Sequence, residues 1–225
     1  IHEYVSKITE IDIDSFDDKF GDCLSVEQLA REFFVSTGTV NSWIKKKKII
    51  PTASLPFGSR SIYLFSPEDA AAIRRELNIP VHDDSTIYRD FFDFLEERDY
   101  TLSYKMPFMI SLIDNLNSIG EAEADKVLDD YIAFYTDRLD RGLAADRASC
   151  PYTYEYLSDR KAVKKNMLAN PFEKFERKRF MYYSKDLGKL ALNTALFNSL
   201  SSEDFKRIRN QMETDLKEYY NSIEK

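Results

Sequence analysis

The sequence predicts a mainly α-helical protein in two domains, and three observations carry that expectation. Apolar residues recur at three- and four-residue spacings along most of the chain. The clearest run is Phe205, Ile208, Met212, Leu216, Tyr219 and Ile223, spanning about five turns. Strand-like runs are short and bracket turn-forming residues around Pro56 to Gly58 and Lys185 to Gly188, so strands are expected only as hairpins. Between the two parts lies residues 83–100, with 2 basic residues against 7 acidic ones. The 225 residues suffice for two modest domains that each bury a core. The expected organisation is a lead-in over 1–23, a first domain over 24–80, an acidic connecting helix over 81–100, and a second helical domain over 101–225 with an amphipathic C-terminal helix.

In the first domain, Ser25 is a good helix N-cap and Gln28 completes a capping-box pattern. Leu29 and Phe33 then share one side, with Ala30 small enough for a second helix to approach. Ser36 or Thr37 offers the next cap. Val40, Trp43 and Ile44 form the inner face of the following helix, while Asn41 and Ser42 fall opposite, with Thr37 and Gly38 at its exposed start. The segment PTASLPFGSRSIYLF reads as a hairpin with its tip at Pro56 and Gly58-Ser59 and its return strand at Ile62 to Phe65. Ser66-Pro67-Glu68-Asp69 opens another helix, with a cap, a first-turn proline and first-turn acids, running to about Leu77. Helix, turn, helix, hairpin, helix is the order of a winged helix-turn-helix.

Leu24 to Leu77 resembles the small excisionase-type and MerR-type DNA-binding heads. The matching residues are Ala30, Val35-Ser36, Thr39-Val40, Trp43-Ile44, Ile50-Pro51, Gly58, Arg60, Tyr63 and Asp69. One residue departs from the pattern: Phe34 stands where the family turn carries glycine, so either the turn widens or a non-glycine residue is strained. The resemblance implies double-stranded DNA as partner, read by the second helix in the major groove.

Charge points the same way. The chain has a formal net charge of -7, yet no acidic residue occurs from Phe33 to Pro67, and Lys45 to Lys48 are consecutive. Local charge, not net charge, governs approach to a polyanion. Thr37, Gly38, Asn41 and Ser42 are the expected base-reading residues, and Lys45, Lys46 and Arg60 the expected phosphate anchors. Consecutive helical lysines fan out by about 100° each, so not all four can meet one backbone. A second basic segment, 160–189, holds 10 basic residues against 3 acidic ones and suggests a further basic surface at Lys161, Lys164, Lys165 and Lys178.

In the second domain, Met106 to Leu116 reads as a core helix behind Pro107, and Ala122 to Leu139 as a helix apolar nearly all round. Residues 142–156 look irregular around Pro151. Ser158 or Asp159 caps a basic helix to about Ala169, Asn170-Pro171 restarts the chain, and Phe180 to Leu192 forms a hairpin. Helices followed by a hairpin are again winged-helix-like in order. This half is similar to tail domains of bacterial superfamily-two helicases and restriction-type proteins. The resemblance rests on Ser103-Tyr104-Lys105, Phe134-Tyr135, Arg138, Arg141-Gly142, Asn170-Pro171-Phe172, Phe175 and Phe180. It implies an accessory piece of a larger machine and carries no catalytic role with it.

Several function classes find no footing. The only histidines are His2 and His82 and the only cysteines Cys23 and Cys150, which supply neither a metal cluster nor a disulfide framework. No glycine-rich phosphate cradle is present. Glu176-Arg177-Lys178 has the spacing of a nuclease E-x-K, but without a partnered aspartate on a sheet it reads as surface charge, and the Asp12, Asp14, Asp17 and Asp18 cluster as a solvated lead-in. No apolar run is long enough to span a membrane, and the first residues do not form a signal peptide. A first residue of Ile suggests a piece of a longer polypeptide. The expectation is a cytoplasmic, non-catalytic DNA-binding protein without cofactor or metal, acting in transcription or in target recognition by a mobile-element, restriction or helicase system. A homodimer or a larger protein complex is the expected assembly. A protein-interaction adaptor whose helix-turn-helix does not bind DNA is the alternative.

Overall fold

The computed structural model describes residues 19–58 and 60–223. Most of the expected lead-in, including its aspartate cluster, lies outside those residues. The chain divides into two compact units, residues 1–82 and 83–225, and the fold is mainly helical with two small antiparallel sheets.

The first unit runs β1 (Leu24–Ser25), α1 (Val26–Glu32), α2 (Thr37–Lys45), β2 (Ala53–Phe57), β3 (Arg60–Phe65) and α3 (Pro67–Glu76). Local chemistry sets each boundary. Ser25 and Gln28 form the full reciprocal capping box of α1, with Gln28 N–H donating to Ser25 Oγ at 3.2 Å and Ser25 N–H to Gln28 Oε1 at 2.7 Å. Ser36, not Thr37, caps α2, and Ser66 caps α3 ahead of Pro67. All three helices end alike, with a residue in the left-handed region after the cap: Phe34 at φ 56°, Lys47 at 55° and Asn78 at 57°. At each end the next N–H reaches back to the carbonyl five residues earlier, Val35 to Ala30, Lys48 to Trp43 and Ile79 to Arg74, which closes a Schellman turn. Phe34 therefore takes the strained option rather than a wider turn.

The sheet has the order β1-β3-β2, with Ala53 to Phe57 paired residue for residue to Leu64 to Arg60. Leu29, Ala30, Phe33, Val40, Ile49, Phe65, Ala70 and Ile73 make the core, and Trp43, Ile44 and Tyr63 pack on its flank. Thr52 joins the hairpin to α3: its hydroxyl donates to Asp69 at 2.5 Å and accepts from Ser66 N–H at 2.6 Å.

The second unit runs α4 (Ile87–Glu96), α5 (Lys105–Asn115), β4 (Glu121–Glu123), α6 (Ala124–Asp140), α7 (Tyr154–Ser158) and α8 (Arg160–Met167). A π-helical turn (Leu168–Phe172) leads to α9 (Glu173–Arg177), then β5 (Met181–Ser184), β6 (Lys189–Leu192), α10 (Thr194–Ser199) and α11 (Ser202–Ile223). Its sheet order, β4-β6-β5, repeats that of the first unit: the strand before the helices pairs with the far strand of the hairpin.

Three expectations change here. The acidic helix α4 is part of the second unit, not a link ahead of it: Ile87, Phe91, Phe92, Phe94 and Leu95 are all buried, and Phe91 and Phe94 meet Phe180 edge-on or tilted within 5.6 Å. α6 has one apolar face rather than several, since Asp125, Lys126, Asp129, Asp130, Ala133 and Asp137 are exposed. Asn170-Pro171 does not restart the chain, because the π-helical turn carries it through and absorbs the N–H that Pro171 lacks. The apolar face of α11 is buried within its own unit against α5, with Ile208, Met212, Tyr219 and Tyr220 inside.

Candidate nucleic-acid interface

α2 is held from below by Val40, fully buried, and by Trp43 and Ile44 against the first unit's core. That anchoring turns Thr37, Gly38 and Asn41 outward, all three exposed, with Ser42 half-buried beside them. Thr37, Asn41 and Lys45 are spaced by four, so they form one stripe along the exposed side. Thr39, part of the family resemblance, serves the fold: its N–H donates to Ser36 Oγ at 3.0 Å and the two hydroxyls lie 2.9 Å apart.

Gly38 has no conformational need to be glycine. Its φ is not positive, and a Cβ there would meet only Ser36 Oγ at 3.6 Å. Glycine at a helical position without a steric cause is a cost to the helix.

The lysine run is not four helical positions, because α2 ends at Lys45, Lys46 is its cap, and Lys47 turns left-handed. The lysines therefore leave the helix on diverging paths, all exposed. Among the described residues, none of Lys45, Lys46, Lys47, Lys48 or Arg60 has a carboxylate partner, and residues 19–82 carry 9 Lys and Arg against 6 Asp and Glu. Arg74 is the contrasting case, bound to Glu32 at 3.0 Å and to the Pro80 carbonyl at 2.6 Å, with its guanidinium over Phe33.

The hairpin has two unlike faces. Tyr63 and Phe65 lead into the core, while the cross-strand pairs Leu55–Ile62 and Phe57–Arg60 form an outer face. On or near that face Phe57 is 72% exposed and Ile62 42%, and Ile50 at its base is 78% exposed.

The second basic segment is partly paired with acids between residues 121 and 129. Lys164 lies 2.9 Å from Asp125, Arg160 pairs with Asp129, and Lys189 lies 2.8 Å from Glu121. The Asp125 carboxylate holds the Lys164 ammonium above its ordinary pKa, and Lys164 in turn lowers that of Asp125. Lys178 is half-buried over the Phe94 ring, 5.5 Å from its centroid, and burial pushes its pKa down. Of the four residues expected there, Lys161 and Lys165 remain exposed, one turn apart on α8. Lys164 is half-buried in its pair with Asp125, and Lys178 is half-buried over Phe94.

Among the described residues, no group of three or more His, Cys, Asp or Glu is disposed to hold a metal ion, and no helix is long and apolar enough to cross a membrane. Comparison with protein-family models, with curated proteins and with solved structures finds no match to this chain.

Proposed function

We propose that the first unit is a winged helix-turn-helix that binds double-stranded DNA, with α2 in the major groove and the β2–β3 hairpin as its wing. The observation that carries this reading is the exposed stripe of Thr37, Gly38 and Asn41 beside five cations without carboxylate partners among the described residues. Thr37, Asn41 and Ser42 read base edges, and Lys45, Lys46 and Arg60 hold phosphates. Glycine at position 38 supports the same geometry, because it lets the helix start approach the duplex without a Cβ in between. No catalytic step is part of the proposal. The role is transcriptional control or target recognition within a larger DNA-processing system.

Salt titration of duplex binding tests it. With some three to five phosphate contacts, log K falls against log salt with a slope of about -2.7 to -4.5. Charge reversal at Lys45, Lys46 and Arg60 weakens binding to every sequence alike, whereas Asn41→Ala erodes preference among sequences. A chain that binds no duplex at low salt is not this kind of protein. The second reading, a protein-interaction adaptor, is favoured by the apolar outer face with Phe57 and Ile62 exposed. It expects no duplex binding even at low salt, and loss of partner capture in Phe57→Ser.

A further inference from the structure

The start of α5 carries a charge that the fold does not explain. Lys105 is the only charged residue from 101 to 113 and is 3% exposed. Among the described residues its Nζ has no hydrogen-bond partner. The nearest favourable neighbours are aromatic faces, Phe94 with its centroid at 4.2 Å and Tyr100 at 5.3 Å. A desolvated cation–π contact recovers less than an ammonium loses on leaving water. The position adds to the deficit. Lys105 is the first residue of α5, where the positive end of the helix dipole opposes a cation, and Tyr104 provides no side-chain cap.

Lys105 lines a cavity of about 280 Å³, together with Lys174, Thr101 and Asn170 on its polar part and Leu102, Tyr104 and Pro171 on its apolar part. Among the described lining residues Asp99 is the one carboxylate, and it faces Lys174 at 3.7 Å. Asn170 and Pro171 belong to the π-helical turn, a rare element that often marks functional sites.

We infer that this cavity binds the oxyanion group, phosphate or carboxylate, of a small molecule, with Lys105 as its buried counter-ion. An anion there supplies the acceptor that Lys105 Nζ lacks and suits the α5 N-terminus. Lys174 provides a second cation at the rim by turning from Asp99, with the Thr101 hydroxyl beside it. Leu102, Tyr104 and Pro171 receive the organic part. The volume is at the small end of ligand cavities, which excludes a nucleic-acid duplex. The charge balance around Lys105 agrees: burial, Lys174 and Lys178 hold its pKa down at about 8, against the opposing pull of Asp99 and Glu97. The inference concerns the second unit alone and stands or falls apart from DNA binding by the first.

The test uses the full chain in chloride buffer near neutral pH, titrated separately with inorganic phosphate and with acetate, followed by calorimetry and thermal melting. At least one of the two gives saturable binding and a rising melting temperature in the wild type, and the stronger of the two identifies the class of ligand. Lys105→Met binds at least tenfold more weakly yet melts, without ligand, no lower than the wild type, because an unpaired charge has been replaced by an apolar chain of similar length. Lys174→Gln folds normally and binds several-fold more weakly. Absence of a saturable response to both probes in the wild type overturns the inference. So does undiminished binding by Lys105→Met or, where that variant does not fold, undiminished binding by Lys174→Gln.

Discussion

Phe34 and Lys47 occupy the same backbone position after their helices, but they differ in what their side chains do. A left-handed non-glycine residue costs about 1–2 kcal/mol. Lys47 is exposed, so Lys47→Gly is expected to stabilise the first unit by about 0.5–1 kcal/mol, read by urea denaturation. Phe34 is 9% exposed and its ring stacks on His82 with centroids 4.2 Å apart. Phe34→Gly is therefore expected to lose about 1–3 kcal/mol net, since the buried ring outweighs the relieved strain. At Gly38 the proposed function reverses the usual sign of a gain. Gly38→Ala should stabilise α2 by about 0.5–1 kcal/mol and weaken duplex binding several-fold, measured side by side by melting and gel shift. Lys105 makes a pH prediction. Its folded pKa of about 8 lies below the ordinary 10.5, so between those values the unfolded chain holds the extra proton. Stability should rise with pH across that window and be lost as pH falls through 8. Urea midpoints in phosphate-free buffer at about pH 7.5 and 9.5 should show the rise in wild type and a smaller one in Lys105→Met, which keeps the lowered pKa of Lys178.

At the scale of elements, the hairpins and caps follow from residues a few positions apart, but their seating does not. Gly120 precedes β4 at φ +79°, and a Cβ there would lie 2.7 Å from the Phe197 ring of α10. Gly142, which follows α6 with φ +73°, faces open space. Gly120→Ala is expected to cost about 2–4 kcal/mol, combining backbone strain with overpacking, while Gly142→Ala costs about 1 kcal/mol. Comparable losses in the two melting curves would contradict the close seating of α10 on β4. Both glycines are visible in the sequence, yet only the packed ring distinguishes them.

At the scale of the whole molecule, the distribution of charge decides where a polyanion would bind. Two basic segments stand out in the sequence, at 33–67 and 160–189. The fold sets the second against acids 31 to 68 residues away, as in Arg160–Asp129, Lys164–Asp125 and Lys189–Glu121. Replacing Lys161 and Lys165 by Gln is accordingly expected to leave the salt slope of duplex binding unchanged. Arg60→Gln should reduce the slope by about 0.9, the loss of one phosphate contact. The repeated strand order of the two sheets shows that similar topology does not make similar surfaces: in the first unit Lys45 to Lys48 and Arg60 have no carboxylate partner among the described residues, while the second pairs part of its basic segment.

The sequence by itself determined the features that short-range chemistry controls. Ser25 with Gln28, Ser66 with Pro67, the turn at Lys185 to Gly188 and the inner face of Val40, Trp43 and Ile44 are all legible because caps, turns and helix faces depend on residues within four positions of each other. Tertiary structure alone decided that the acidic helix packs inside the second unit, that α11 spends its apolar face on α5, and which basic segment remains uncompensated. It also decided that Lys105 is buried beside a cavity, although a single lysine inside an apolar stretch was the available sign. Each of these depends on partners distant along the chain, and no local pattern encodes which of them will meet.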